Sequence, residues 1–176
     1  GIKQVMLFSM IAWVLRFGLF AYGNPGDGLW MIILSCVVYG MAFDFFNISG
    51  SLFVETSTDS KIRSSAQGLF MMMTNGFGAV LGSVTSGFVI DKFFTDKYYN
   101  LNEFLTKFNL TTDNEWVKSL LKDKVVTDNV LDKPIGIIQW EPVWLTFAIY
   151  AAIIAIAFAI LFKHKHNPKD VSNISH

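Results

Sequence analysis

The chain has 176 residues, 52% hydrophobic and only 16% charged, with a mean hydropathy of +0.43 and no formal net charge. A water-soluble domain carries nearer a quarter charged residues, so this composition points to a membrane, and the neutral balance leaves no case for nucleic acid. The single cysteine, Cys36, lies inside an apolar run, which excludes a disulfide framework.

Four apolar runs are long enough to cross a bilayer core of ~30 Å. They cover about residues 5–22, 28–53, 67–90 and 143–162. The chain opens on Gly1 rather than Met and enters the first run without a small-residue cleavage site, which reads as the interior of a longer protein. Between the first two runs, GNPGD at 23–27 is turn chemistry, because Gly and Pro break both helices.

Charge orients the spans. Lys3 precedes the first, Lys61 and Arg63 follow the second, and Lys163, Lys165 and Lys169 follow the fourth, whereas GNPGD holds no Lys or Arg. The positive-inside bias places these basic groups, and the tail 163–176, in the cytoplasm. The turn and the segment 91–142 then face outside. That segment holds seven Lys and nine acids, but loops of its length weigh little in the rule. Trp30, Trp140 and Trp144 fall at the outer boundary, where aromatic belts form.

Two ionisable residues lie inside the spans. Arg16 sits about 9 Å below the outer end of the first, at 1.5 Å per residue. It reads either as a snorkelling or interhelically bonded arginine, or as a substrate contact or counter-ion. Asp44 lies about 24 Å down the second span, too deep for a simple ion pair with Arg16. A carboxylate at bilayer depth costs ~2.5–3.5 kcal/mol, and chains that carry one use it for a substrate, an ion or a proton.

A helical wheel with ~100° per residue sorts the second span into two faces. Cys36, Tyr39, Phe43, Asn47 and Gly50 share one side, and Leu34, Met41, Phe45, Ile48 and Leu52 the other, with Asp44 on the flank. The first face is aromatic, polar and small, which suits a water-accessible cavity. Two aromatics at i and i+4 offer flat surfaces for a base, worth ~1–3 kcal/mol by stacking, and a carboxylate accepts hydrogen bonds from sugar hydroxyls. The bland alternative is that Tyr39 and Phe43 only pack against neighbouring helices.

In the third span, Gly78, Gly82 and Ser86 repeat every fourth residue, a spacing that lets membrane helices approach closely. Thr74 and Asn75 are expected to hydrogen-bond across helices. The segment 91–142 is expected to hold one or two short surface helices, with Thr112 and Glu115 forming a capping box before EWVKSLLKD. Asn109-Leu-Thr111 is a glycosylation sequon that matters only in a secretory host. No paired acids, nucleophile–base set or metal-ligand cluster stands out. His164 and His166 read as a solvated basic tail.

Four stretches carry a resemblance: LRFGLFAYG at 15–23, VYGMAFDFFNISGSLFVE at 38–55, IRSSAQGLFMMMTNGFG at 62–78 and QWEPVWLTFAIY at 139–150. They resemble the nucleoside:proton symporter family of the major facilitator superfamily, over nearly the whole chain except about 97–138. The resemblance implies an all-α membrane fold of twelve helices in two halves, with these four as helices nine to twelve. It implies a proton-coupled nucleoside importer of a bacterial inner membrane that alternates access around a mid-membrane site. It makes Tyr39, Phe43 and Asp44 nucleoside ligands and Asp44 a candidate for proton coupling; Asn47, from its place on the wheel, and Arg16, from its depth in the span, are further cavity candidates. It implies no cofactor. Its partners are nucleosides, protons, the bilayer and the amino-terminal helices of the same polypeptide, which this stretch lacks. The segment 91–142 is longer than the family link it would replace. The alternative from another class is a self-contained four-helix scaffold or receptor acting through that outer segment.

Overall fold

A computed structural model describes residues 1–163, so His164, His166 and the rest of the basic tail lie outside the described residues. The chain divides into two compact units. The first comprises residues 1–87 and the chain from Trp140 onward, and the second is Phe88–Gln139.

The first unit is helical. Helix α1 (Ile2–Tyr22) and helix α2 (Leu29–Ser57) form an antiparallel hairpin. The turn between them closes on Asn24, whose side-chain oxygen accepts the N–H groups of Gly26 and Gly28 at 2.9 and 3.2 Å. The breakers were legible in the sequence, and the Asx geometry explains why they work. Helix α3 (Arg63–Met71) runs into a π-helical segment, Met72–Phe77, and on into α4 (Gly78–Phe93). Together they make one long membrane helix, Arg63–Phe93. The last helix of the unit, here α7, spans Trp140–Leu161. All four are long and apolar enough to cross a membrane, and each overlaps its sequence-predicted run with ends shifted by a few residues.

Helix α1 lies between α2 and α7. Its seam with α2 is built from small side chains: Ala12, Val38 and Ala42 are buried together, and the Ser35 hydroxyl donates to the Arg16 carbonyl at 3.4 Å. Small residues let helix backbones approach where lipid supplies no hydrophobic drive between helices. Against α7, the end of α1 stacks on Trp144, with Phe20 at 4.9 Å and Phe17 at 6.1 Å between ring centroids. At the opposite end, the Lys3 ammonium donates to the Ala159 carbonyl at 2.8 Å. That bond satisfies an orphan carbonyl of the last turn of α7 and sets a cation at its negative end. The start of α1 and the end of α7 therefore lie on the same side of the unit.

The third membrane helix meets α2 near its beginning. Gln67 donates to the Ser51 carbonyl at 2.7 Å and accepts from the Ser51 hydroxyl at 2.9 Å, and Arg63 pairs with Glu55 at 3.9 Å. Phe70 lies so close on Gly50 that a Cβ there would run into its ring. Beyond this contact the helix stands apart: no residue of α4 is buried, and nothing comes within 4 Å of a Cβ built on Gly82. The stripe of Gly78, Gly82 and Ser86 thus has no close helix against it among the described residues. Thr74 and Asn75 also differ from expectation. The Thr74 hydroxyl donates to the Phe70 carbonyl at 2.8 Å and the Asn75 amide to the Met71 sulfur at 3.5 Å, both within their own helix. A polar side chain with no neighbouring helix satisfies itself on the preceding turn.

The second unit has its own core. Strands β1 (Thr95–Asn100), β2 (Val126–Thr127) and β3 (Val130–Ile138) form an antiparallel sheet in the order β1-β3-β2, joined by helices α5 (Leu101–Phe108) and α6 (Glu115–Leu121). Tyr98, Leu101, Phe104, Val117, Leu131 and Ile135 are buried together. The two short helices were expected and the sheet was not. The cap of α6 also differs: Asn114, not Thr112, accepts the Trp116 N–H at 2.9 Å. Asn114 is the last residue with extended backbone before the helix, so its short side chain reaches the orphan donors first.

Candidate functional site

The candidate residues lie on the middle of α2, and which of them are open follows from what covers that helix. The side bearing Ser35, Val38, Ala42 and Ser49 is buried, with Val38 and Ala42 against α1. Tyr39, Phe43 and Asp44 lie beside that seam and are exposed. The rings of Tyr39 and Phe43 stand 5.9 Å apart at 45°, so the i, i+4 pair predicted from the wheel forms as one aromatic surface. Asp44, one residue further on, is at its edge. Asn47 donates its amide to the Phe43 carbonyl at 2.8 Å, tying itself to the same turn. It also lines an open groove with Ile48, Ser51, Leu52, Glu55 and Met71. Gly50 leaves the face, because Phe70 covers it.

Arg16 joins the site through a contact that neither snorkelling nor an ion pair describes. Its guanidinium lies 3.9 Å from the centroid of the Tyr39 ring, with Trp13 at 5.1 Å and Phe20 at 5.5 Å. Its Nε and Nη1 are buried and find no hydrogen-bond acceptor among the described residues. The cation is held by aromatic faces, an interaction worth ~2 kcal/mol when desolvated. Trp13 also meets Tyr39 nearly at right angles, with ring centroids 5.5 Å apart and 75° between the planes.

Helix geometry explains the meeting. Measured along the axes, Arg16 and Tyr39 sit at different depths. Side chains tilt toward the N-terminus of their helix, and α1 and α2 are antiparallel. Arg16 therefore leans away from the Asn24 turn and Tyr39 leans toward it, and the two long side chains close the gap. A signal was available in the sequence: Trp13, Arg16 and Phe20 stand at i, i+3 and i+7, one row of a helix surface.

Four apolar membrane helices, one of which carries an exposed aromatic pair with an adjacent carboxylate, define a multi-pass membrane protein. The comparisons with known proteins name the class. The sequence model of the Nucleoside H+ symporter family matches residues 1–167, and the chain belongs to that family. It is 43% identical to xanthosine permease of Escherichia coli over 98% of its own length, and 42% identical to the nucleoside permease NupG of the same organism over 100%. The crystal structure of the nucleoside transporter NupG superposes with a TM-score of 0.63 at 42% identity, covering 94% of this chain and 31% of that one. The chain spans about a third of the length of these relatives. These relatives are permeases, transporters rather than enzymes.

Proposed function

We propose that this chain forms helices nine to twelve of a proton-coupled nucleoside importer in a bacterial inner membrane. The observation that carries the reading is the open Tyr39–Phe43 surface with Asp44 at its edge, on a membrane helix of a nucleoside symporter family. The names of the relatives, a xanthosine permease and a nucleoside permease, support the substrate class. A nucleoside has a planar base for the rings and a polyol sugar for the carboxylate. Stacking on such rings is worth ~1–3 kcal/mol per base. Asn47 borders the same surface, and the remaining ligands come from helices outside this stretch. Both chain ends face the cytoplasm, as the distribution of Lys and Arg favours, and the bond from Lys3 to the last turn of α7 keeps the start of α1 beside the end of α7.

Asp44 is the proton-coupling candidate because it is a carboxylate inside the membrane span at the edge of the Tyr39–Phe43 surface. One charge carried through 100 mV gains ~2.3 kcal/mol, enough to drive accumulation. The test is uptake of labelled nucleosides by cells expressing the full-length gene, with and without an uncoupler. Uphill uptake that the uncoupler abolishes is expected, and uptake no greater than in cells without the gene overturns the reading. Asp44→Asn keeps the shape but cannot change charge, so it is expected to bind nucleoside and lose accumulation. If that variant still concentrates nucleoside, the proton carrier lies elsewhere.

A further inference from the structure

One face of the Tyr39 ring is already occupied. The Arg16 guanidinium is 3.9 Å from its centroid, and the Trp13 ring meets it nearly at right angles, yet the residue stays exposed. A side chain on a lipid- or cavity-facing surface ordinarily has other rotamers open to it, and each costs affinity when a ligand must select one. Here the cation over the ring and the indole beside it restrain Tyr39 in the orientation that sets it next to Phe43. The buried Nε and Nη1 have no acceptor among the described residues. The desolvated charge is thus held in place by the aromatic faces around it, and it would lose this compensation if Tyr39 swung away.

We infer that Arg16 is a positioning residue for nucleoside binding: it does not touch the solute but holds the Tyr39 ring, with Trp13, in the orientation that stacks on the base. The inference rests on the reading of Tyr39 as a nucleoside ligand and deepens it. Arg16 then leaves the cavity-ligand role that the sequence left open to it. The role needs a flat cation. A guanidinium lies parallel to a ring and covers it, whereas an ammonium is a point charge that draws water, so Lys does not replace Arg here.

The test is a double-mutant cycle on the full-length transporter, reading nucleoside Kd and transport. Arg16→Met keeps the apolar stem and removes the cation. It is expected to weaken binding roughly tenfold, the scale of a desolvated cation–π contact, and to raise KM with little change in maximal rate. In a Tyr39→Leu background the same change is expected to have no further effect, because nothing is left to orient. In a Phe43→Leu background the tenfold loss is expected to persist. An unchanged Kd in Arg16→Met, or a loss that adds in full to that of Tyr39→Leu, overturns the inference while leaving the nucleoside reading intact. A parent protein that binds no nucleoside overturns both. Should Arg16→Met fail to fold, Arg16→Lys takes its place in the cycle, with the same results supporting or overturning the inference.

Discussion

The two units differ in the side chains they bury most completely. In the membrane unit, Ala42, Ser9 and Ser35 are fully buried, while Phe8, Ile33, Val84 and Ile156 are more than half exposed. In the second unit the fully buried residues are Phe104, Ile135 and Val117. The difference is one of solvent. Water drives large apolar groups together, whereas lipid is as apolar as they are and leaves close backbone packing as the main attraction between helices. Apolar exposure therefore costs little in the first unit and more in the second.

This contrast can be broken by mutation. Phe104→Ala is expected to cost the second unit about 3–5 kcal/mol. A unit of about fifty residues has little stability in reserve. Hydrogen exchange of the β3 amides should then lose most of its protection. Ile156→Ala in α7 removes an apolar side chain of comparable kind and is expected to leave thermal stability in a bilayer almost unchanged. Similar losses at both positions would refute the solvent argument. Ala42→Leu, which overfills the seam between α1 and α2, should cost about 1–3 kcal/mol in the same melting assay.

Exposure within the membrane unit carries two meanings, and a third experiment separates them. Phe43 and Phe45 are almost equally exposed, at 41% and 37%. Phe45 meets Phe8 at 5.9 Å, while Phe43 joins Tyr39. Phe43→Ala is expected to weaken nucleoside binding by roughly 1–3 kcal/mol, and Phe45→Ala much less, at matched expression. Equal losses would make both rings packing residues.

The smallest effects belong to pH and to the second unit. The hydroxyl of Tyr98, with Asp96 and Glu103 nearby, raises the pKa of Lys107 above its ordinary value against a smaller opposing effect of desolvation. Its contribution is complete below the ordinary lysine pKa and lost as pH rises through the raised one. The hydrogen bond from Lys124 to Asp123 lowers that carboxyl's pKa, so its contribution is present above the ordinary carboxylate range and lost as pH falls through the lowered value. Both groups are exposed and screened, so the shifts will be slight. Lys107→Met should flatten the alkaline limb of the unit's melting profile, and Asp123→Asn the acid limb. Unchanged limbs would show that neither contact holds in solution.

The spans and the breakers between them were legible because bilayer thickness and turn chemistry act on local sequence. The Tyr39, Phe43 and Asp44 surface was legible for the same reason, since one helix carries all three. What escaped depended on a second element. Arg16 meets Tyr39 across a helix pair, and the distance along each axis hid the reach of tilted side chains. The sheet of the second unit escaped because β1 and β3 pair across an intervening stretch that contains two helices. A polar strand such as TDKYYN shows no strong pattern of its own. Gly50 looked like part of an open face until Phe70 arrived from the next helix.

The wide turn at Met72–Phe77 acts as a phase shift in the third membrane helix. The N–H of Gly78 bonds back five residues to the Met73 carbonyl instead of four. One extra residue is thereby absorbed without breaking the rod. Phe70 and Gly78 would stand about 80° apart around an unbroken α-helix, and the extra residue brings them back to within about 20°. The ring that rests on α2 and the glycine that begins the small-residue stripe thus share a meridian. Removing any one residue from the turn would restore an unbroken α-helix and leave every downstream side chain at nearly the same height and on the same meridian, whereas closing the turn with all its residues kept would swing them by nearly a quarter-turn.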